Sequence, residues 1–94
     1  MIVIIKEPGK PGRKADIPNT LETLQQVVGG YVEVIRIASD MYAIVDEEGK
    51  PKGKPANILG LVGTVVFCGG KEEGIRFTDC PRADKMIKLI DQVV

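Results

Sequence analysis

The sequence predicts an α+β fold: a two-layer domain in which a mostly antiparallel sheet of four to five strands carries two helices on one face, in the order β-α-β-β-β-(β)-α. Three observations predict it. Short runs rich in Val, Ile and Tyr recur along the chain, at Ile2 to Ile5, Tyr31 to Ile37, Met41 to Val45 and Val62 to Cys68, with the composition of strands. Two other stretches repeat apolar residues at helical spacing. Only Ala38-Ser39-Asp40 separates the second strand run from the third, so these two form a hairpin and the sheet is at least partly antiparallel. At 94 residues and 44% apolar, residues 1–94 make a single domain with one core and little room for a deep interior pocket.

Ile2 to Ile5 is an unbroken β-branched run, suited to a strand buried on both faces. Lys6 to Pro18 contains three prolines and two glycines, which predicts a loop exposing Lys6, Lys10, Arg13 and Lys14, either as a solvated segment or as an anion-contacting arm. Asn19 is placed to cap a helix over Thr20 to Val28, with Glu22 completing a capping box. Leu21, Leu24, Val27 and Val28 form its apolar stripe, and Gly29-Gly30 stop it. So short a helix needs a sheet to lie on. In the hairpin, Val32 and Val34 share a face with Arg36, while Ile35 and Ile37 share one with Glu33; partial burial of both faces explains the poor alternation. Asp46 to Pro55 reads as an acidic turn followed by a basic Gly/Pro loop. Asn57 to Leu61 is either one helical turn or an irregular crossing, and Val62 to Cys68 is the next strand. Gly69 to Gly74 reads as a polar turn and Ile75 to Phe77 as a short last strand. Thr78 or Asp79 caps the final helix, with Pro81 in its first turn and a stripe of Ala83, Met86, Ile87, Ile90 and Val93 or Val94.

The composition excludes several functions. Thirteen basic and thirteen acidic residues cancel, which gives no general attraction to nucleic acid or anionic membrane. Four aromatics are few for a reader of single strands. There is no histidine, so the commonest general base and metal ligand are missing. Cys68 and Cys80 match no zinc spacing and no disulfide framework; they read as reduced, buried thiols of a cytosolic protein. The first residues lack the features of a secretory leader, and no stretch has the ~18 apolar residues of a membrane span. The expectation is a soluble, cytoplasmic chain without metal or cofactor.

Candidate site residues fall in two groups. Asp46, Glu47 and Glu48 read as a solvated acidic turn, without the spaced oxygens of a calcium loop. Lys50, Lys52 and Lys54 follow and partly compensate it. Asn57 suits either recognition of a base edge or peptide backbone, or the capping of a turn. Lys10, Arg13 and Lys14 form the second group. The glycine pairs at 29–30 and 69–70 lack a P-loop or dinucleotide pattern and read as cap and turn glycines.

The segments V-V-G-G-Y-V-E-V (27–34), V-D-E-E-G-K-P-K-G-K-P-A-N (45–57) and V-G-T-V-V-F-C-G (62–69) resemble the core pattern of a domain-of-unknown-function family. So do P-G-K (8–10) and the L-x-x-L-Q-x-x-V-G-G helix (21–30). The resemblance implies a setting in Gram-positive bacteria and their phages, plasmids and integrated elements, and no catalytic residues. Three readings follow. The first is a non-enzymatic binding protein, an accessory of a phage or mobile element that acts by protein–protein contact through a sheet edge or the 46–57 loop. The second is a binder of a small nucleotide-like anion that clamps it with Lys10, Arg13, Lys14, Lys50, Lys52, Lys54 and Asn57, at a homodimer interface. The third is an enzyme using carboxylate or cysteine chemistry, with Cys80 near a helix N-terminus as its activated thiol.

Overall fold

The computed structural model describes residues 1–70 and 76–92. It contains strands β1 (Ile2–Lys6), β2 (Arg13–Asp16), β3 (Val32–Ala38), β4 (Met41–Asp46), β5 (Val65–Gly70) and β6 (Phe77–Thr78), helices α1 (Leu21–Val28) and α2 (Ala83–Gln92), and a 3-10 turn at Ile58–Gly60. The sheet is antiparallel throughout, in the order β2-β1-β5-β4-β3, with β6 pairing the end of β5. The α+β class and the 31–45 hairpin are as the sequence predicts. The remaining turn residues up to Gly74, the start of the last strand at Ile75, and the stripe positions Val93 and Val94 lie outside the described residues.

The layering differs from expectation. Val3, Ile5, Tyr42, Ile44, Val66 and Cys68 pack with Leu24 and Val28 of α1 on one face. Ile4, Met41, Ala43, Val45, Val65 and Phe67 pack with Ile90, Met86 and Ile87 of α2 on the other. The helices therefore cover opposite faces, and the domain has three layers, not two. The cause is the period of two along a strand: β4 and β5 are buried at every position, so both faces need cover. Burying a Leu or Val side chain such as Leu24 or Val28 contributes about 1.5–3 kcal/mol, which is what holds so short a helix in place.

Four local expectations also change. The loop predicted over Lys6 to Pro18 contains β2, which pairs with β1 from Ile2↔Asp16 to Ile5↔Arg13, and Lys6 is not an exposed loop residue but closes β1, buried, with its Nζ donating to the Glu7 carbonyl at 2.9 Å. An edge strand tolerates flanking prolines, since its outer N–H groups need no partner in the sheet. The α1 cap is Thr20, whose hydroxyl accepts from the Thr23 N–H at 3.2 Å, while Asn19 Nδ2 donates to the Phe77 carbonyl. Neither Thr78 nor Asp79 caps α2: the helix begins at Ala83 after Arg82 in the left-handed region (φ 52), and Asp79 Oδ1 accepts from the Ile2 N–H at 2.7 Å. Gly69 and Gly70 belong to β5 rather than to a turn. A Cβ on Gly70 would collide with the Tyr42 ring, which is itself held edge-on to Phe77 at 6.2 Å.

Candidate functional site

The acidic triplet splits. Glu47 and Glu48 are exposed, but Asp46 closes β4 and is buried, 3% exposed. Its carboxylate accepts from Lys52 Nζ at 2.8 Å and from the Glu48 N–H at 2.9 Å, and Lys54 Nζ lies 2.7 Å away. The two ammonium groups also donate to the end of α1, Lys54 to the Val28 carbonyl (2.7 Å) and Lys52 to that of Gly29 (3.2 Å). Cations are favourable at a helix C-terminus, where unpaired carbonyls gather. The lysine hydrogen bonds hold the Asp46 carboxyl well below the usual carboxylate range, Lys52 first and Lys54 next, and Asp46 in turn raises the Lys52 ammonium above its usual value. Gly29 takes the left-handed cap conformation (φ 83). Gly30 is needed for space, because a Cβ there would lie 2.6 Å from Asp46 Oδ1 and 2.7 Å from Lys52 Nζ.

Asn57 fastens the rest of the loop. Its Nδ2 donates to the carbonyls of Lys6 and Gly63, both at 2.8 Å, and its Oδ1 accepts from the Ile58 N–H at 2.8 Å. The Asn57 N–H donates to Leu61 O at 2.7 Å, and an antiparallel bridge joins Ala56 to Val62. This closed loop buries Ile58 against the α2 face of the sheet and presents Leu59, 62% exposed, at its apex. Leu59 is left-handed (φ 57, ψ 27), a conformation that strains a residue with a Cβ.

Beside this loop, along β3, lies a shallow groove of about 270 Å³. Ile35, Val45, Leu61 and Val62 form its apolar part, and Glu33, Glu47 and Lys50 stand around it. β3 is an edge strand. The Glu47 N–H donates to Tyr31 O at 2.8 Å, in register with the β3–β4 ladder. Antiparallel pairs alternate between hydrogen-bonded and open ones, so Glu33 and Ile35 bond β4, and Val32 and Val34 turn their N–H and C=O groups outward. The opposite edge, β2, is shorter and mostly charged, and its surroundings are tied to α2 by Lys14 to Asp84 (3.1 Å) and the Gly12 N–H to Asp91 Oδ1 (2.9 Å).

The structure thus brings Asp46, Lys52, Lys54 and the Glu48 backbone together, with Asn57 farther along the same loop. Lys50 stands apart on the groove. Lys10 pairs with Glu7 at 3.7 Å, Lys14 with Asp84, and Arg13 is exposed on β2. Three strand spacings of about 4.8 Å separate β2 from β4, so Arg13 and Lys14 do not join the 46–57 group. Cys80 precedes α2 and is buried, and burial pushes its thiol up to about 11 and that of Cys68 up to about 12; the activated Cys80 of the third reading is overturned. Among the described residues no group of three or more His, Cys, Asp or Glu side chains is arranged to hold a metal ion, and no helix is long and apolar enough to cross a membrane. Sequence reasoning missed Glu33, Ile35 and Leu59 as candidates. The run Ile58-Leu59-Gly60-Leu61, apolar inside a polar loop, was the available signal for Leu59.

Comparison with known proteins matches the chain over residues 1–93 to a family described as "Domain of unknown function (DUF3846)". No curated protein and no solved structure matches it.

Proposed function

Since the chain belongs to the DUF3846 family, a domain of unknown function whose description carries no activity, we propose from the site itself that the protein is a small non-enzymatic binding module that takes an extended segment of a partner protein onto the open edge of β3. One observation carries the reading: of the two edges, β2 is short and charged, as edges protected from pairing are, whereas the seven residues of β3 leave Val32 and Val34 with outward main-chain groups beside an apolar groove. Strand addition draws affinity from such main-chain groups and specificity from neighbouring side-chain pockets. The Asp46–Lys52–Lys54 cluster and the Asn57 staple then serve to hold the groove's loop against the sheet. Within this reading the protein works in the cytoplasm of a Gram-positive cell, as an accessory of a phage or other mobile element that contacts a host protein. A nucleotide-like anion clamp draws less support, because Lys52, Lys54 and Asn57 are already engaged by groups of the chain itself.

Val34→Pro tests the reading. It removes an outward N–H that pairs with none of the described residues, a position where edge strands accept proline. Pull-down from the native host with wild type and Val34→Pro side by side should recover a partner that the variant loses while still melting cooperatively. Equal recovery by both, or no partner for either, overturns the proposal.

A further inference from the structure

We infer that the β3 edge selects an extended peptide carrying a large apolar residue two positions from Lys or Arg on the face toward the groove. This deepens the strand-addition reading and rests on it. The groove face of β3 presents Glu33, Ile35 and Ile37, because alternate residues of a strand share a face. Glu33 and Glu47 are both exposed at the groove. Among the described residues neither is in an ion pair. Asp46, by contrast, is neutralised by Lys52 and Lys54, so among the described residues two carboxylates face the groove against the one ammonium of Lys50. A strand laid on the edge sets a side chain directly opposite Glu33, where a cation is favourable, and another opposite Ile35 or beside Leu61, where an apolar group is.

The same pattern argues against a second copy as the occupant. In a two-fold antiparallel β3–β3 pair, paired residues share a face, so Glu33 would meet Tyr31, Glu33, Ile35 or Ile37 and never a cation. Leu59 extends the apolar contact beyond the groove. Its left-handed backbone holds an exposed leucine where a glycine would be unstrained, next to Gly60 and Leu61, which line the groove.

The experiment selects displayed random short peptides on the intact chain, in parallel with Glu33→Lys and Val34→Pro, and checks self-association by sedimentation. Wild type should enrich apolar-x-Lys/Arg, and Glu33→Lys should exchange the basic preference for an acidic one. Glu33→Gln should weaken a selected peptide about two- to five-fold, the worth of one cross-strand charge pair. Val34→Pro should retain no peptide. Peptides lacking a basic preference, or a preference unchanged by Glu33→Lys, overturn the inference while strand addition stands if Val34→Pro still abolishes binding. Selection of the same peptides by Val34→Pro, or of none by wild type, overturns strand addition itself. A dimer abolished by Val34→Pro makes the occupant a second copy and also overturns the inference.

Discussion

Replacing Asn57 tests whether its amide is a structural staple or a group held ready for a ligand. The side chain makes three hydrogen bonds of 2.8 Å, donating to Lys6 O and Gly63 O and accepting from the Ile58 N–H. Each such bond contributes about 0.5–1.5 kcal/mol net; with water able to reach part of the site, Asn57→Ala should cost about 2–3 kcal/mol. In a domain of this size that lowers Tm by roughly 10–20 °C. Asn57→Asp sharpens the test. It keeps the acceptor for Ile58 but turns a carboxylate toward two carbonyl oxygens, so at neutral pH it should be less stable than Asn57→Ala. The difference should narrow as pH falls toward about 4, where an aspartate takes up a proton and regains a donor. Urea unfolding followed by circular dichroism gives both quantities, with an unchanged m-value showing that only stability has moved. If Asn57→Ala lies within about 0.5 kcal/mol of wild type, a figure typical of surface substitutions, the staple is refuted and the amide becomes available for recognition.

Other outcomes follow from the same loop and core. Asp46 has a lowered folded-state pKa, so the stability it contributes is present above its ordinary value of 3.8 and is lost as pH falls through the depressed one; Asp46→Asn should be less stable than wild type at pH 7 and should lose less on acidification from pH ~5 to ~2, as acid titration followed by fluorescence or circular dichroism would read. Leu59→Gly relieves a left-handed residue, worth about 1–2 kcal/mol, against about 0.4–1 kcal/mol of added unfolded-chain entropy, for a net gain of about 0.5–1 kcal/mol in urea unfolding; a loss would mean that Leu59 packs in a way its exposure does not indicate. Native protein at pH 8 should react with a thiol reagent far more slowly than urea-unfolded protein, because both thiols are buried and burial pushes Cys80 up to about 11 and Cys68 up to about 12; fast native labelling would contradict the packing.

The sequence is most legible where a rule is local. Gly29 stops α1 in the left-handed conformation the motif suggests, and the 31–45 hairpin follows from its short turn. The layering was harder to read, because an apolar residue at every strand position shows that both faces are covered but not which helix covers which. β2 was hidden because Arg13, Lys14 and Asp16 make a strand only by pairing with β1. Asp46 looked like one acid of a solvated turn, since its burial depends on lysines that return across a Gly/Pro loop to meet the end of α1. Asn57 was readable as a cap, but not its two remote carbonyl partners. Glu33 and Ile35 were visible as strand residues, and they become a candidate contact face only once β3 is known to be the sheet's edge.

The position of β1 has a consequence for how the chain reaches this state. β1 lies between β2 and β5, and Ile4 and Ile5 pair with Phe67 and Val66. During synthesis β2 is its first available neighbour, and a two-stranded ribbon is marginal in water. The β3–β4 hairpin emerges next and can close locally, while β1 must wait for β5 to complete the sheet. Such distant pairings slow folding and leave apolar strands open to aggregation in the interval. Lys6 at one end of β1 and the charged β2 beside it then act as kinetic guards, limiting self-association of an isoleucine-rich strand until its long-range neighbour arrives.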